Sequence, residues 1–182
     1  SLRIRTMQAS SAALREGVIY ELLGRSQNED LREVTVARMQ ERYVADPVHA
    51  DRVETLALDF LKQSRAKWRL PRDPSQGLLR WASQLREIGK AISYTGYHRH
   101  SAYLVENSEM PGFHRGDQQL LAALILGQRR KLMLDRFEPL IGSWGHEALR
   151  LIVIFRLASR LNRTRSTSER PPIIFKADGD SV

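Results

Sequence analysis

Apolar residues recur at helical spacing along most of this chain. In LLRWASQLREIGKAI, residues 78–92, Leu78, Trp81, Ala82, Leu85, Ile88 and Ile92 return every three or four positions. That spacing predicts one helix that buries a stripe and presents Arg86 and Glu87 beside it. A turn at Gly96 then leads through Tyr97, His98, Arg99 and His100 to a short helix expected from Ser101. In MPGFHRGDQQLLAALILGQRRK, residues 110–131, a loop with Pro111 and Gly112 enters a strongly apolar helix with Asp117 as its expected cap. Its far end is expected to carry Arg129, Arg130 and Lys131, where cations suit the helix dipole.

The same pattern extends to both sides. Leu2, Ile4 and Thr6 alternate with Arg3 and Arg5 like the end of a strand, and a helix through Leu14, Val18 and Leu22 is capped by Ser10 or Ser11 and stopped by Gly24. An amphipathic helix is expected over 29–44. Asp46 before Pro47 starts the next, with His49 in its first turn and Val53, Leu56, Ala57, Phe60 and Leu61 inward. Residues 69–76, with two prolines, read as a break. After a loop through Pro139 and Gly142, residues 144–162 form a long helix. Its centre, LRLIVIFRLASRL, is apolar on most sides and is expected to run through the middle of the domain. From Pro171, Pro172, Ile173, Ile174 and Phe175 the tail reads as a strand that begins without a partner, so both ends look cut from something longer. The expected fold is all-α, with six to seven helices and short strand fragments at both ends. Trp68, Trp81 and Trp144 belong to its core, and His114 and His146 are expected to be exposed.

Composition adds the chemistry. At 182 residues and 42% apolar, the chain can bury one domain core. No apolar run approaches the roughly 18 residues of a membrane span, no signal peptide is read, and a cytoplasmic setting is expected. The absence of cysteine excludes disulfides and thiolate metal sites. The net charge is +8, and of 29 basic residues 24 are arginine. Arginine is a planar, bidentate partner for phosphate oxygens, which points to a polyanionic ligand.

His49 with the following RVETLALDFL, and the segment LREIGK, resemble the metal-binding helices of the HD phosphohydrolases. Here Arg86 and Glu87 stand in place of that superfamily's His-Asp pair, and Ala158 and Ser159 stand where a late aspartate is expected. A guanidinium has no free lone pair, so no metal site is expected. More broadly, ALREGVIYELLGR (13–25), RYVADPVHADRVETLA (42–57), LREIGKAISYTGYHRHSAYLVENSEMPGF (85–113) and GQRRK (127–131) resemble the exopolyphosphatase and guanosine pentaphosphate phosphohydrolase family. The resemblance implies an actin-like catalytic module upstream, ending near residue 25, that carries the catalytic carboxylates and magnesium. It implies an HD-like helical domain over 26–165, a tail over 166–182, and no catalytic residue or cofactor within this chain. That family often has histidine where this chain has Arg86 and Gln128.

What the helical domain would contribute is a grip on substrate. Shortening a polyphosphate from its end requires holding the remainder, and a groove of cations does so through many salt-sensitive contacts. The candidates are Arg86, Lys90, His98, Arg99, His100, Arg129, Arg130 and Lys131. The expected partners are inorganic polyphosphate or guanosine pentaphosphate, the upstream module and a second copy in a homodimer. The plainer alternative makes residues 97–100 a buried turn and Arg129 to Lys131 a solvated helix end. A metal-dependent HD nucleotide hydrolase and a basic nucleic-acid module are competing readings. The first lacks its ligand pair, and the second lacks a helix-turn-helix spacing or stacking array.

Overall fold

The computed structural model describes residues 31–130, 137, 144–164 and 173–177. Helices account for nearly all of the secondary structure there, and none is long and apolar enough to cross a membrane. Helix α1 covers residues 31–42, α2 is Pro47–Trp68, α3 Arg72–Leu85, α4 Tyr97–Asn107, α5 Arg115–Gly127 and α6 Gly145–Leu161. A short 3-10 turn, Ile88–Ala91, lies between α3 and α4. Helix α6 packs on α2, α3 and α5 and buries Ala148, Leu151, Ile152, Ile154, Phe155 and Ala158, which is the central position expected of it.

Local chemistry sets the helix limits. Pro47 occupies the first turn of α2, where no backbone N–H is missed, and the Asp46 carboxylate accepts from the His49 N–H at 3.1 Å. At the other end Arg69 is left-handed, φ 51°, and its N–H reaches the Arg65 carbonyl. The buried face of α2 carries Val53, Ala57, Phe60, Leu61 and Trp68.

Several expectations are corrected. Residues 72–76 are not a break, because Pro74 falls within the first turn of α3, where its ring and missing N–H are tolerated. The helix expected over 78–92 stops at Leu85, and Ile92 is 53% exposed. The reason is Gly89: a Cβ there would stand 2.3 Å from both the Ser101 nitrogen and the Tyr97 carbonyl oxygen. Only a glycine in a tight turn lets the chain approach α4 this closely. Helix α4 starts at Tyr97 rather than Ser101, directly after the left-handed Gly96, φ 72°. Asp117 lies inside the first turn of α5, bonded by Arg32, and does not cap it.

The tail also differs from expectation. Residues 173–177 form no strand; they run extended, with Ile173, Phe175 and Ala177 turned towards the core and Ile174 and Lys176 exposed. The Gln63 amide takes the place of a neighbouring strand. Its Nε2 donates to the Ile173 carbonyl at 3.1 Å, and its Oε1 accepts from the Phe175 N–H at 2.6 Å. The Phe175 ring lies 5.0 Å from Phe60 and 5.6 Å from Trp68. The strand expected near the start, and the loop through Pro139 and Gly142, lie outside the described residues.

Candidate functional site

Helices α2 and α6, the end of α3 with its 3-10 turn, the start of α4 and the exit of α5 converge on one cavity of about 740 Å³. Among the described residues its lining holds seven cations, Arg86, Lys90, Arg129, Arg130, Arg156, Arg160 and Arg163, against a single carboxylate, Glu87. Tyr94, Tyr97, His49, Gln128 and Ser159 complete it.

The cavity rests on a buried charge cluster. Arg86, 3% exposed, donates from one guanidinium nitrogen to Glu87 Oε1 at 2.7 Å and from the other to Gln128 Oε1 at 3.2 Å. Gln128 Nε2 returns a bond to the Arg86 carbonyl at 3.1 Å. Lys90 Nζ bonds the second Glu87 oxygen, and His49 Nε2 lies 3.6 Å from the first. Burial raises the Glu87 carboxyl, but Arg86, Lys90 and His49 outweigh it and hold the group below its ordinary range. Ser101 locks this floor to α4, its Oγ donating to the Arg86 carbonyl at 3.0 Å and accepting from the Gly89 N–H at 2.8 Å. Arg86 and Gln128, the two positions at which the resemblance leads to an expectation of histidine, are thus bonded to each other.

The wall is made differently. Helix α5 ends at Gly127, so Arg129 and Arg130 lie beyond it rather than on its last turn, and Arg130 is left-handed with φ 68°. For a residue with a Cβ that conformation persists only when surroundings impose it. Arg156 does so: its guanidinium donates to the Gly127 carbonyl at 2.9 Å and to the Arg130 carbonyl. Burial first, and then Arg160, lower the Arg156 pKa. Helices α5 and α6 touch so closely that a Cβ on Gly127 would meet Ile152 Cγ2 at 2.5 Å. Arg156, Ser159, Arg160 and Arg163 share one face of α6 and its exit at spacings of three and four. Among the described residues Arg129, Arg130, Arg156, Arg160 and Arg163 have no carboxylate partner. On the remaining side Lys90 Nζ lies 5.2 Å over the Tyr97 ring and the Arg129 guanidinium 5.1 Å over it.

The sequence-derived candidates divide accordingly. Arg86, Lys90, Arg129 and Arg130 line the cavity. His98 is 4% exposed and does not line it; burial, then the charges of Arg129, Arg99 and Arg130, push its pKa down to about 4. Its imidazole is therefore neutral near pH 7. Arg99 is exposed and His100 half-buried on α4, and neither lines the cavity. Lys131 lies outside the described residues. Reading the sequence alone missed Arg156, Arg160 and Arg163. Their signal was the three- and four-residue spacing of arginines within the apolar run of α6, which the buried stripe obscured.

His49, Arg86, Glu87 and Ser159 hold the places where an HD-type metal site would have its ligands. The donor set does not fit a divalent cation. Arg86 sits in its middle, and no three His, Asp or Glu side chains cluster among the described residues. The arrangement is suited instead to oxyanions, which arginines bind through paired N–H donors.

Residues 31–180 match the model of Ppx/GppA phosphatase, domain III. The chain belongs to the Ppx/GppA phosphatase family. It is 36% identical over all 182 residues to the guanosine-5'-triphosphate,3'-diphosphate pyrophosphatase of Aeromonas hydrophila, of which it covers 37%. It is 34% identical to the protein of that name from Aeromonas salmonicida, over all of this chain and 37% of that one. The like-named Pseudoalteromonas translucida protein is 34% identical over 99% of this chain and 36% of its own length. The chain thus spans a little over a third of the length of the curated relatives it matches. The all-α architecture and the family expected from the sequence both hold. The Ppx/GppA domain here presents a cationic cavity with an internally neutralised floor.

Proposed function

We propose that this chain is the substrate-holding domain of a phosphoanhydride hydrolase, seating the phosphate chain of polyphosphate in the cavity between α5 and α6. The observation that carries this reading is the set of five arginines on one concave wall that have no carboxylate partner among the described residues. Bringing so many like charges together costs free energy through mutual repulsion, and a bound polyanion relieves it. The floor cluster contributes differently: Arg86 and Lys90 are already bonded to Glu87, so they position the wall and leave the outer arginines to meet phosphate. Hydrolysis of the terminal phosphoanhydride, with its magnesium and catalytic carboxylates, would lie in the rest of a family protein.

The relatives' names favour a second substrate, guanosine pentaphosphate, which shares the terminal phosphoanhydride. The test is a titration of the chain with long-chain polyphosphate at near-physiological and higher salt, with duplex DNA of equal charge as competitor. Polyphosphate binding that beats the DNA and weakens in Arg160→Ala and Arg163→Ala supports the reading. Duplex DNA binding as tightly would favour a general basic module, and no binding of either would remove the holding role.

A further inference from the structure

We propose that Arg156 is a positioning residue of the cavity: it holds the turn after α5 in the shape that aims Arg129 and Arg130 at a bound phosphate, and does not itself meet the ligand. The role rests on the reading of the cavity as a phosphate seat, and divides its wall into groups that bind and a group that sets them. Arg129, Arg130, Arg160 and Arg163 are exposed, whereas Arg156 is half-buried on α6. Both terminal nitrogens of its guanidinium are already engaged. Nη1 donates to the Gly127 carbonyl at 2.9 Å and Nη2 to the Arg130 carbonyl. Paired donors of this kind are what an arginine uses to take two phosphate oxygens at once. A phosphate reaching Arg156 end-on would first have to displace main chain.

Among the described residues little else braces that turn. Helix α5 closes on a long bond, from the Gln128 N–H to the Ile125 carbonyl at 3.4 Å, and Arg130 then takes the left-handed region, φ 68°. A residue with a Cβ disfavours that region, because the Cβ crowds the following carbonyl oxygen. Glycine occupies it freely, yet this position carries a cation. The two bonds from Arg156, to carbonyls on either side of the turn, are the compensation. Arg156 keeps this place although burial and the neighbouring Arg160 both disfavour its charge.

The shape matters because two lining cations leave the backbone from within it. The Arg129 guanidinium lies 5.1 Å over the Tyr97 ring, and Arg130 lines the cavity beside it. Returning Arg130 to the right-handed region would re-aim both side chains. Without the clasp the observed shape becomes a minor population, and affinity falls by the fraction of molecules that keep it. The contacts made once phosphate is bound stay the same in number.

The experiment is calorimetric titration of the full 182-residue chain with inorganic tripolyphosphate at several salt concentrations. The parent is compared with Arg156→Lys, Arg130→Gly and the double variant, each shown by circular dichroism to be folded at the titration temperature. Lysine keeps the charge and serves as a point contact to phosphate, but it lacks the planar fork that spans two carbonyls. Arg156→Lys is therefore expected to weaken tripolyphosphate at least about fivefold, the population factor of one left-handed residue. Its slope against log salt should stay at the parent value, because no phosphate contact is lost. Arg130→Gly should lower that slope by about 1. In its background Arg156→Lys should change affinity by less than about twofold, since glycine needs no clasp. Parent affinity in Arg156→Lys would overturn the positioning role. Equal losses in the two backgrounds, or a slope lowered by about 1 in Arg156→Lys, would also overturn it, since Arg156 would then act independently of Arg130. All three outcomes leave the phosphate seat standing. A parent chain that binds no tripolyphosphate would overturn the seat and the positioning role together.

Discussion

His98 shows how burial removes a charge that the sequence advertises. It lies next to Arg99 and close in sequence to His100, yet its ring is enclosed, its Nδ1 has no hydrogen-bond partner among the described residues and its pKa is pushed down to about 4. The unfolded chain therefore takes up a proton at this group near pH 6.5, while the folded one resists until about 4. Stability from this residue is complete above 6.5 and falls with decreasing pH across that window. The His98 imidazole should titrate near pH 4 in an NMR pH series, and His98→Asn should flatten the stability profile between 4 and 6.5. Glu87 has the same sign and a lower window. Its native pKa lies below the ordinary 4.5, so its contribution is present above 4.5 and is lost as pH falls through the native value. Arg86→Ala would break this buried pair and remove a partner of Gln128. A cost of about 3–5 kcal/mol is expected in urea unfolding, as for other buried ion pairs that lose one member.

At the scale of elements, the turn after α3 is the least forgiving contact. Adding one methyl at Gly89 drives backbone atoms of α4 away and breaks the Ser101 bridge. Gly89→Ala should reach the upper end of overpacking costs, about 3 kcal/mol or more, measured by thermal or denaturant unfolding. The tail makes the opposite case. Gln63→Ala removes its two main-chain partners but leaves Phe175 on Phe60 and Trp68. Amide exchange at Phe175 should accelerate while the global melting temperature changes little.

These contacts explain what could be read from the chain. Periodicity located α2 and α6 well, because Asp46, Pro47 and a continuous apolar stripe act within a single element. The end of α3 was not legible, since its apolar spacing runs on to Ile92. What stops it is a tertiary approach at Gly89 to residues eight to twelve positions further along. Four of the eight candidate site residues proved to line the cavity. The arginines of α6 were masked because a helix that is buried on most sides does not advertise its one polar face.

For the whole molecule, the charge of +8 is not spread evenly, and five cations converge on one wall. Affinity for any polyanion should fall linearly with log salt concentration. Arg160→Ala with Arg163→Ala should make that slope shallower by about 2, one for each lost phosphate contact. Arg86→Ala should leave the slope largely unchanged in protein that remains folded, since that guanidinium is spent on Glu87 and Gln128.

The close contact of Gly127 with Ile152 has a consequence for selectivity. Arg129 and Arg130 follow one side of it within three residues, and Arg156 follows the other by one helical turn, so the contact acts as the pivot of a caliper whose jaws are charged. A side chain inserted at the pivot would spread the jaws without altering any charge. The cavity would then keep its attraction for anions and lose its gauge, treating phosphate groups of different spacing alike.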